Sequence, residues 1–325
     1  PLMVNRGQYF YVFGGTPDGI NQFNDLWQFL LTDTRFEATQ LATQSAIHPA
    51  PSDGYTMTFF DDDTIILIGG SSEFHIYHYS IRQDQWNQRE PQGVHLESLR
   101  GHQSVQIDSE HILIFGGKIK SNVYNNGVLI YEPKTGNMSI LRTTGIYPFN
   151  RINHHAIPLN KHLVIVFGGE TEKMPTNEES NKYVECFSSI NNEQTLIYLL
   201  NLITGEWSFL NTLSQDIDFL SIPHGAVTYC LPALDEQTET STIYFYNGRI
   251  KRNRYLTDVK MMKVKMKKTK DCSIPSNYQL LPDHIYLDLL ESNGYQDFSL
   301  QKSHLKNPYP RNYDLLSTCT GFSPC

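Results

Sequence analysis

Thr64-Ile-Ile-Leu-Ile-Gly69-Gly70 and His111-Ile-Leu-Ile-Phe-Gly116-Gly117 are two copies of one pattern, an apolar run closed by a glycine pair. Tyr9-Phe-Tyr-Val-Phe-Gly14-Gly15 and His162-Leu-Val-Ile-Val-Phe-Gly168-Gly169 are two more. Their first glycines stand 55, 47 and 52 residues apart, the spacing of a supersecondary repeat of about 50 residues. Runs this short, rich in β-branched and aromatic residues, read as buried strands. A glycine pair at a strand end admits left-handed backbone and lets another chain or a ring approach closely.

Working outward from each pair, a second apolar strand follows, with a bulky anchor seven residues beyond one of its own side chains. These couples are Phe29/Phe36, Tyr79/Trp86, Tyr131/Met138 and Leu200/Trp207. The segments between them, such as Thr32-Asp-Thr34 and Pro133-Lys-Thr-Gly136, carry turn residues. Upstream of the pairs stands an opening strand with its own signal: Arg100-Gly-His102, Arg151-Ile-Asn-His154-His155 and Pro223-His224-Gly225, with Pro49-Ala-Pro-Ser-Asp-Gly54 a weaker copy. Each unit therefore reads as four strands, with the glycine pair at the end of the second.

These residues carry a family resemblance. The chain resembles a kelch-repeat β-propeller, whose pattern is Pro-Arg-x-x-His, a strand, Gly-Gly, Asn-Asp-x-Trp and a later Trp. Asn24-Asp-Leu-Trp27 matches the fourth element, and Trp86 and Trp207 match the last. The resemblance covers roughly residues 8 to 270, with a degraded fifth copy at Thr242-Ile-Tyr-Phe-Tyr-Asn247-Gly248. It implies an all-β propeller of four-stranded blades spanning residues 1–325 as one domain. Counting the four glycine pairs and the degraded Asn247-Gly248 copy gives five blades. Residues 272–310 hold either a sixth, degenerate blade or an insertion with a short helix from Asp283 to Asn293. The N-terminus is expected to start at the second strand of its blade, so residues 311–320 are expected to supply the missing strand and close the ring.

The composition is that of an acidic globular chain, net −8, with 12 % aromatic residues. No apolar run reaches the ~18 residues of a membrane span. Five cysteines, Cys186, Cys230, Cys272, Cys319 and Cys325, show no metal spacing. With a single glycosylation acceptor, Asn137-Met-Ser139, they point to an intracellular protein; a Cys319/Cys325 bridge in a secreted protein is the alternative. His75 and His78 have the spacing of a helical metal pair but sit in a strand, where they face opposite ways. Nothing matches a phosphate loop, a nucleophile elbow or a zinc signature. No enzymatic activity, cofactor or metal is therefore expected.

In such a blade, the loop after the second strand and the loop between blades emerge on one face. Here that face carries the long segments Thr16 to Asn24, Lys118 to Asn126, Glu170 to Gln194 and Arg249 to Thr257, whereas the other has short turns such as Asp61–Asp63 and Asp108–Glu110. Long loops on a rigid scaffold are where binding concentrates. Residues 249–270 hold ten of the 26 basic residues and one acid, a local charge of +9 against −17 for the rest. Within them Met262, Val264 and Met266 alternate with Lys263, Lys265 and Lys267, the pattern of a half-buried strand.

The expected partner-binding residues are Arg249, Lys251, Arg252 and Arg254, with Lys118, Lys120, Glu170 and Lys173 around the same rim. The arginines offer forked hydrogen bonds to carboxylates or phosphates. The lysine strand serves an acidic partner or nucleic acid, or is a solvated edge guarded against pairing. The expected function is a non-enzymatic interaction scaffold or adaptor. A second reading rests on Met174-Pro175, Lys182-Tyr183 and Cys186, which resemble the kelch-like accessory subunit of the V(D)J recombinase. That likeness implies a propeller subunit of a nucleic-acid-processing complex. A third reading is a secreted propeller resembling copper oxidases.

Overall fold

In a computed structural model of the chain, the residues described are 1–16, 21–32, 34–120, 123–125, 127–145, 147–160, 162–171 and 197–210. Beyond these come the strand segments 227–231, 240–246, 249–251, 254–255, 260–265 and 280–281. Every regular element among them is a strand. They divide into two compact units, Pro1–Ile140 and Leu141–Cys325.

The first unit holds three antiparallel blades. Blade 1 runs in sequence order as β1 (Leu2–Arg6), β2 (Tyr9–Gly15), β3 (Phe23–Leu31) and β4 (Phe36–Leu41). Blade 2 repeats it with β5 (Tyr55–Phe59), β6 (Thr64–Gly69), β7 (His75–Ser80) and β8 (Gln85–Arg89). A short β9 (Gln92–Gly93) leads to blade 3, made of β10 (Gln103–Gln106), β11 (Ile112–Phe115), β14 (Val128–Glu132) and β15 (Asn137–Leu141). Between β11 and β14 a hairpin stands out of the blade, β12 (Lys118–Lys120) paired with β13 (Val123–Tyr124). In all three blades the glycine pair ends, or directly follows, the second strand, as its position in the repeat predicts.

One expectation needs correction. The place beside β2 is not vacant for residues 311–320: β1 fills it, in register from Leu2↔Phe13 to Arg6↔Tyr9. Five residues suffice because Leu2 and Val4 alternate towards the core while a two-residue turn, Gly7-Gln8, reverses the chain. Residues 311–320, and the helix or further blade expected within 272–310, lie outside the described residues.

The blades pack face to face. Tyr11, Phe13 and Leu26 of blade 1 form one core with Tyr55, Met57, Ile65, Leu67, Tyr77, Tyr79 and Trp86 of blade 2. Trp86 is its centre, with its ring edge-on to Phe13 and Tyr77 and tilted 5.1 Å from Tyr79, its cross-strand partner. Between blades 2 and 3 the contact is more polar. His78 Nε2 lies 2.9 Å from the Tyr131 hydroxyl, and the Thr56 hydroxyl bridges His102 Nε2 (2.9 Å) and Ser104 (2.6 Å). His75 is on the other side of β7, its ring tilted against Tyr77 and next to Glu73, so the two histidines do face opposite ways.

The second unit contains blade 4. A short β16 (Thr144–Gly145) and β17 (Arg151–Ile152) precede β18 (His155–Asn160) and β19 (Leu163–Phe167). β20 (Glu170–Thr171), β21 (Ile197–Asn201) and β22 (Glu206–Leu210) complete it. β22 carries the buried anchor Trp207 directly opposite Leu200. A further sheet orders β23 (Val227–Leu231), β24 (Thr240–Tyr246) and β27 (Lys260–Lys265), with the ladder β25 (Arg249–Lys251) and β26 (Arg254–Tyr255) lying between β24 and β27 in the chain. β27 pairs Met262 with Ile243 and Lys263 with Thr242, so the alternating lysine segment is a strand as expected, at the outer end of the sheet's described strands.

The recurring histidine and the glycine pairs explain one another. His102 is 1 % exposed, and burial lowers its imidazole to about 3, so it is neutral in the fold. A Cβ on Gly69 would lie 2.5 Å from its ring, and one on Gly117 2.8 Å from its Cβ. Both glycines have positive φ, +118° and +91°. The missing side chains are thus the space into which the opening histidine of blade 3 fits, and His154 meets Gly169 in the same way in blade 4. Recurrence of the motif is structural.

Candidate partner-binding face

Within each unit, backbone bonds tie the residues after a second strand to the segments that enter the blades. Gly70 and Leu99 exchange hydrogen bonds of 2.9 and 3.0 Å. Arg100 N–H donates to the Lys118 carbonyl at 3.0 Å, and Lys118 N–H to the Arg100 carbonyl at 2.8 Å. In the second unit, Arg151 and Ile152 pair with Thr171 and Glu170. The segments entering blades 3 and 4 are therefore stitched to the residues following those blades' own glycine pairs, and Leu99 ties the entry of blade 3 to Gly70 of blade 2 as well.

The hairpin β12–β13 is fixed from below. Ile119 is buried, its carbonyl accepts from the Ser98 hydroxyl, and the Lys118 ammonium rests 4.8 Å from the centre of the Tyr124 ring. Asn125, 1 % exposed, closes the loop by donating from Nδ2 to the Gly116 carbonyl (3.1 Å) and accepting from Gly127 N–H (3.1 Å). A long loop is thereby held in one shape by a side chain that satisfies the backbone left over at the end of the strand.

The residues expected from sequence fall on hairpins or strands inserted after a second strand, in both units. Lys118 and Lys120 belong to β12 in the first unit. Glu170 is exposed in β20 of the second unit. Arg249 pairs with Tyr255, and Lys251 with Arg254, across β25–β26. Arg252 and Lys173 lie outside the described residues, as do Cys186, Cys272, Cys319 and Cys325; Cys230 is in β23.

Two functional candidates were missed. Arg100, exposed across from Lys118, sits inside an opening motif that reads as purely structural. Tyr124 is unremarkable in sequence and gains meaning only from the hairpin. Arg151, in the equivalent motif of blade 4, is fully buried. Its guanidinium donates to the carbonyls of Phe149 (3.1 Å) and Gly168 (3.0 Å) and lies 5.0 Å from the Tyr198 ring centre. It braces the glycine pair from within.

A profile of the Attractin/LZTR1 β-propeller family matches residues 2–234. The chain belongs to that family. Among similar proteins, β-scruin of Limulus polyphemus is 28 % identical over 143 residues, covering 40 % of this chain and 15 % of the relative. α-Scruin of the same organism is 28 % identical over 120 residues, 36 % of this chain and 12 % of its own. Acyl-CoA-binding domain-containing protein 4 of Arabidopsis thaliana is 23 % identical over 210 residues, 61 % and 28 %. This kelch-type propeller thus spans less than a third of the length of each. No helix among its described residues is long and apolar enough to cross a membrane.

Proposed function

We propose that this propeller is a protein-interaction scaffold that holds its partner through the segments inserted after second strands, β12–β13 in the first unit and β25–β26 in the second. The observation that carries the reading is the stitching of β12–β13. In the first unit the β12–β13 hairpin is bonded through the backbone to Arg100 in the segment entering blade 3, so its cationic side chains stand on a preorganised floor, and less entropy is lost when a partner docks. Membership of a kelch-type propeller family supports the same role.

The test is affinity capture from native extract, comparing the wild-type chain with one in which Arg249, Lys251, Arg252 and Arg254 are all changed to Glu, at low and moderate salt. A protein partner lost selectively from the variant supports the reading. An unchanged partner set removes β25–β26 from the binding face. Recovery of nucleic acid, lost in the variant, would instead favour an accessory subunit of a nucleic-acid-processing complex.

A further inference from the structure

Three blades carry an equivalent pair of residues where the entering segment meets the chain leaving the glycine pair. One member stands three positions before the opening strand, the other two positions after the first glycine of the pair. In blade 2 these are Ser52 and Ser71, whose hydroxyls lie 3.1 Å apart, with Ser71 N–H also donating to Ser52 Oγ at 3.1 Å. In blade 4 they are Ile152 and Glu170. In blade 3 they are Arg100 and Lys118, two cations directly opposite one another across a bridge.

Residues so opposed point to the same side with Cβ atoms about 5 Å apart, and like charges there are destabilising. Among the described residues neither Arg100 nor Lys118 is paired with a carboxylate. The fold does not call for them, because serine serves in blade 2 by completing its own hydrogen bonds. The like-charge contact is therefore a cost to blade 3 that the serine pair of blade 2 does not carry. They are held rather than loose: the bridge fixes both backbones, and Tyr124 fixes the lysine.

We propose that Arg100 and Lys118, with Tyr124, form a clasp for the side-chain carboxylate of an acidic peptide segment in the partner. The inference rests on the scaffold reading and names the chemistry that its face receives. Arginine supplies a forked pair of donors, lysine the balancing charge, and tyrosine an apolar wall of the kind enriched at protein interfaces. The surroundings select a peptide over a polyanion. Residues 1–140 contain eight Lys and Arg against fifteen Asp and Glu, a net charge of −7. A nucleic-acid backbone would press many phosphates against those carboxylates, whereas a peptide brings one or two acids to the Arg100–Lys118 pair.

The experiment measures fluorescence anisotropy of a labelled peptide of alternating Glu and Gly, against the same peptide with Gln for Glu and against a short single-stranded DNA. The proteins are the 325-residue chain, the double variant Arg100→Ser/Lys118→Ser, which copies the blade 2 arrangement, and Arg100→Gln/Lys118→Gln as a second form. The wild type is expected to prefer the Glu peptide over both controls, and each variant to lose about tenfold or more of that affinity. Tm is expected to hold or rise, since a like-charge contact is removed. Equal binding of the Gln peptide, preference for the DNA, or variants that bind the Glu peptide as the wild type does would each overturn the clasp. So would a fall in Tm with binding retained, which would make the cations structural. Capture through β25–β26 reads out the scaffold separately, so a failed clasp with partners still lost from the Glu variant leaves that reading standing.

Discussion

Phe36 and Trp86 occupy the same place in successive repeats, yet 68 % of Phe36 is exposed and 2 % of Trp86. Phe29 and Tyr79, their partners on the preceding strand, differ in the same direction, half-buried against fully buried. The side chains are alike in size and the strands alike in register. What differs is the neighbour: blade 2 lays this face on Tyr11, Phe13 and Leu26, whereas blade 1 bears Met3, Leu31 and Phe36 exposed on the corresponding face. The repeat supplies an anchor at each place, and the adjoining sheet decides how much apolar area that anchor withdraws from water.

The largest test of that contrast is truncation of both anchors. Trp86→Ala removes the hub of three aromatic contacts and is expected to cost about 3–5 kcal/mol. Phe36→Ala, which loses chiefly its stacking on Phe29 (5.7 Å between ring centres), is expected to cost less than about 1 kcal/mol. Chemical denaturation of the two variants measures the difference directly, and equal losses would break the comparison.

Acid should open the other side of blade 2. Burial, aided by Arg89, lowers His78 to about 4, and burial lowers His102 to about 3. Both are neutral in the fold, while in the unfolded chain they take up protons near the ordinary value of about 6.5. Stability from these two groups is therefore complete above pH 6.5 and declines as pH falls towards 4 and then 3. Denaturation midpoints taken from pH 7 to pH 4 should decline, and His78→Gln should flatten the upper part of the curve. A midpoint that stays level in the wild type over that range would show that the blade 2–3 contact tolerates charge.

The smallest effect belongs to the exposed margin of blades 1 and 2. Arg6 pairs with Asp62 at 2.7 Å and covers the Phe59 ring at 4.6 Å, but the pair stands in solvent. Arg6→Ala is expected to cost about 0.5 kcal/mol, and less in high salt. A salt titration of the two melting curves checks it.

Much of the architecture was legible because it is written in local chemistry. Gly69-Gly70 and Gly116-Gly117 announce strand ends wherever they occur, and the seven-residue step from Tyr79 to Trp86 is the length of a tight hairpin. The opening histidines could be read as structural from recurrence alone, though only coordinates show Gly69 and Gly117 making room for His102. β1 escaped because Leu2–Arg6 has no glycine pair, no histidine opener and only two inward side chains. Phe36 escaped for the opposite reason, since its pattern is complete and its exposure depends on a sheet many residues away. At the rim, Lys118 stood out as a cation in a long loop. Arg100 was masked by its motif, and nothing in a linear chain announces that two such residues will be cross-strand neighbours.

That β1 comes first, and that β2, β3 and β4 follow it without interruption by residue 41, has a consequence for biosynthesis. Every strand-pairing partner of blade 1 has left the ribosome once that stretch has emerged, so the sheet can pair while later repeats are still being translated. Its contacts are short in sequence separation, which favours rapid formation. Had the strand beside β2 come from the far end of the chain, the Tyr9–Phe13 edge would have waited, unpaired and sticky, for the whole polypeptide to be made.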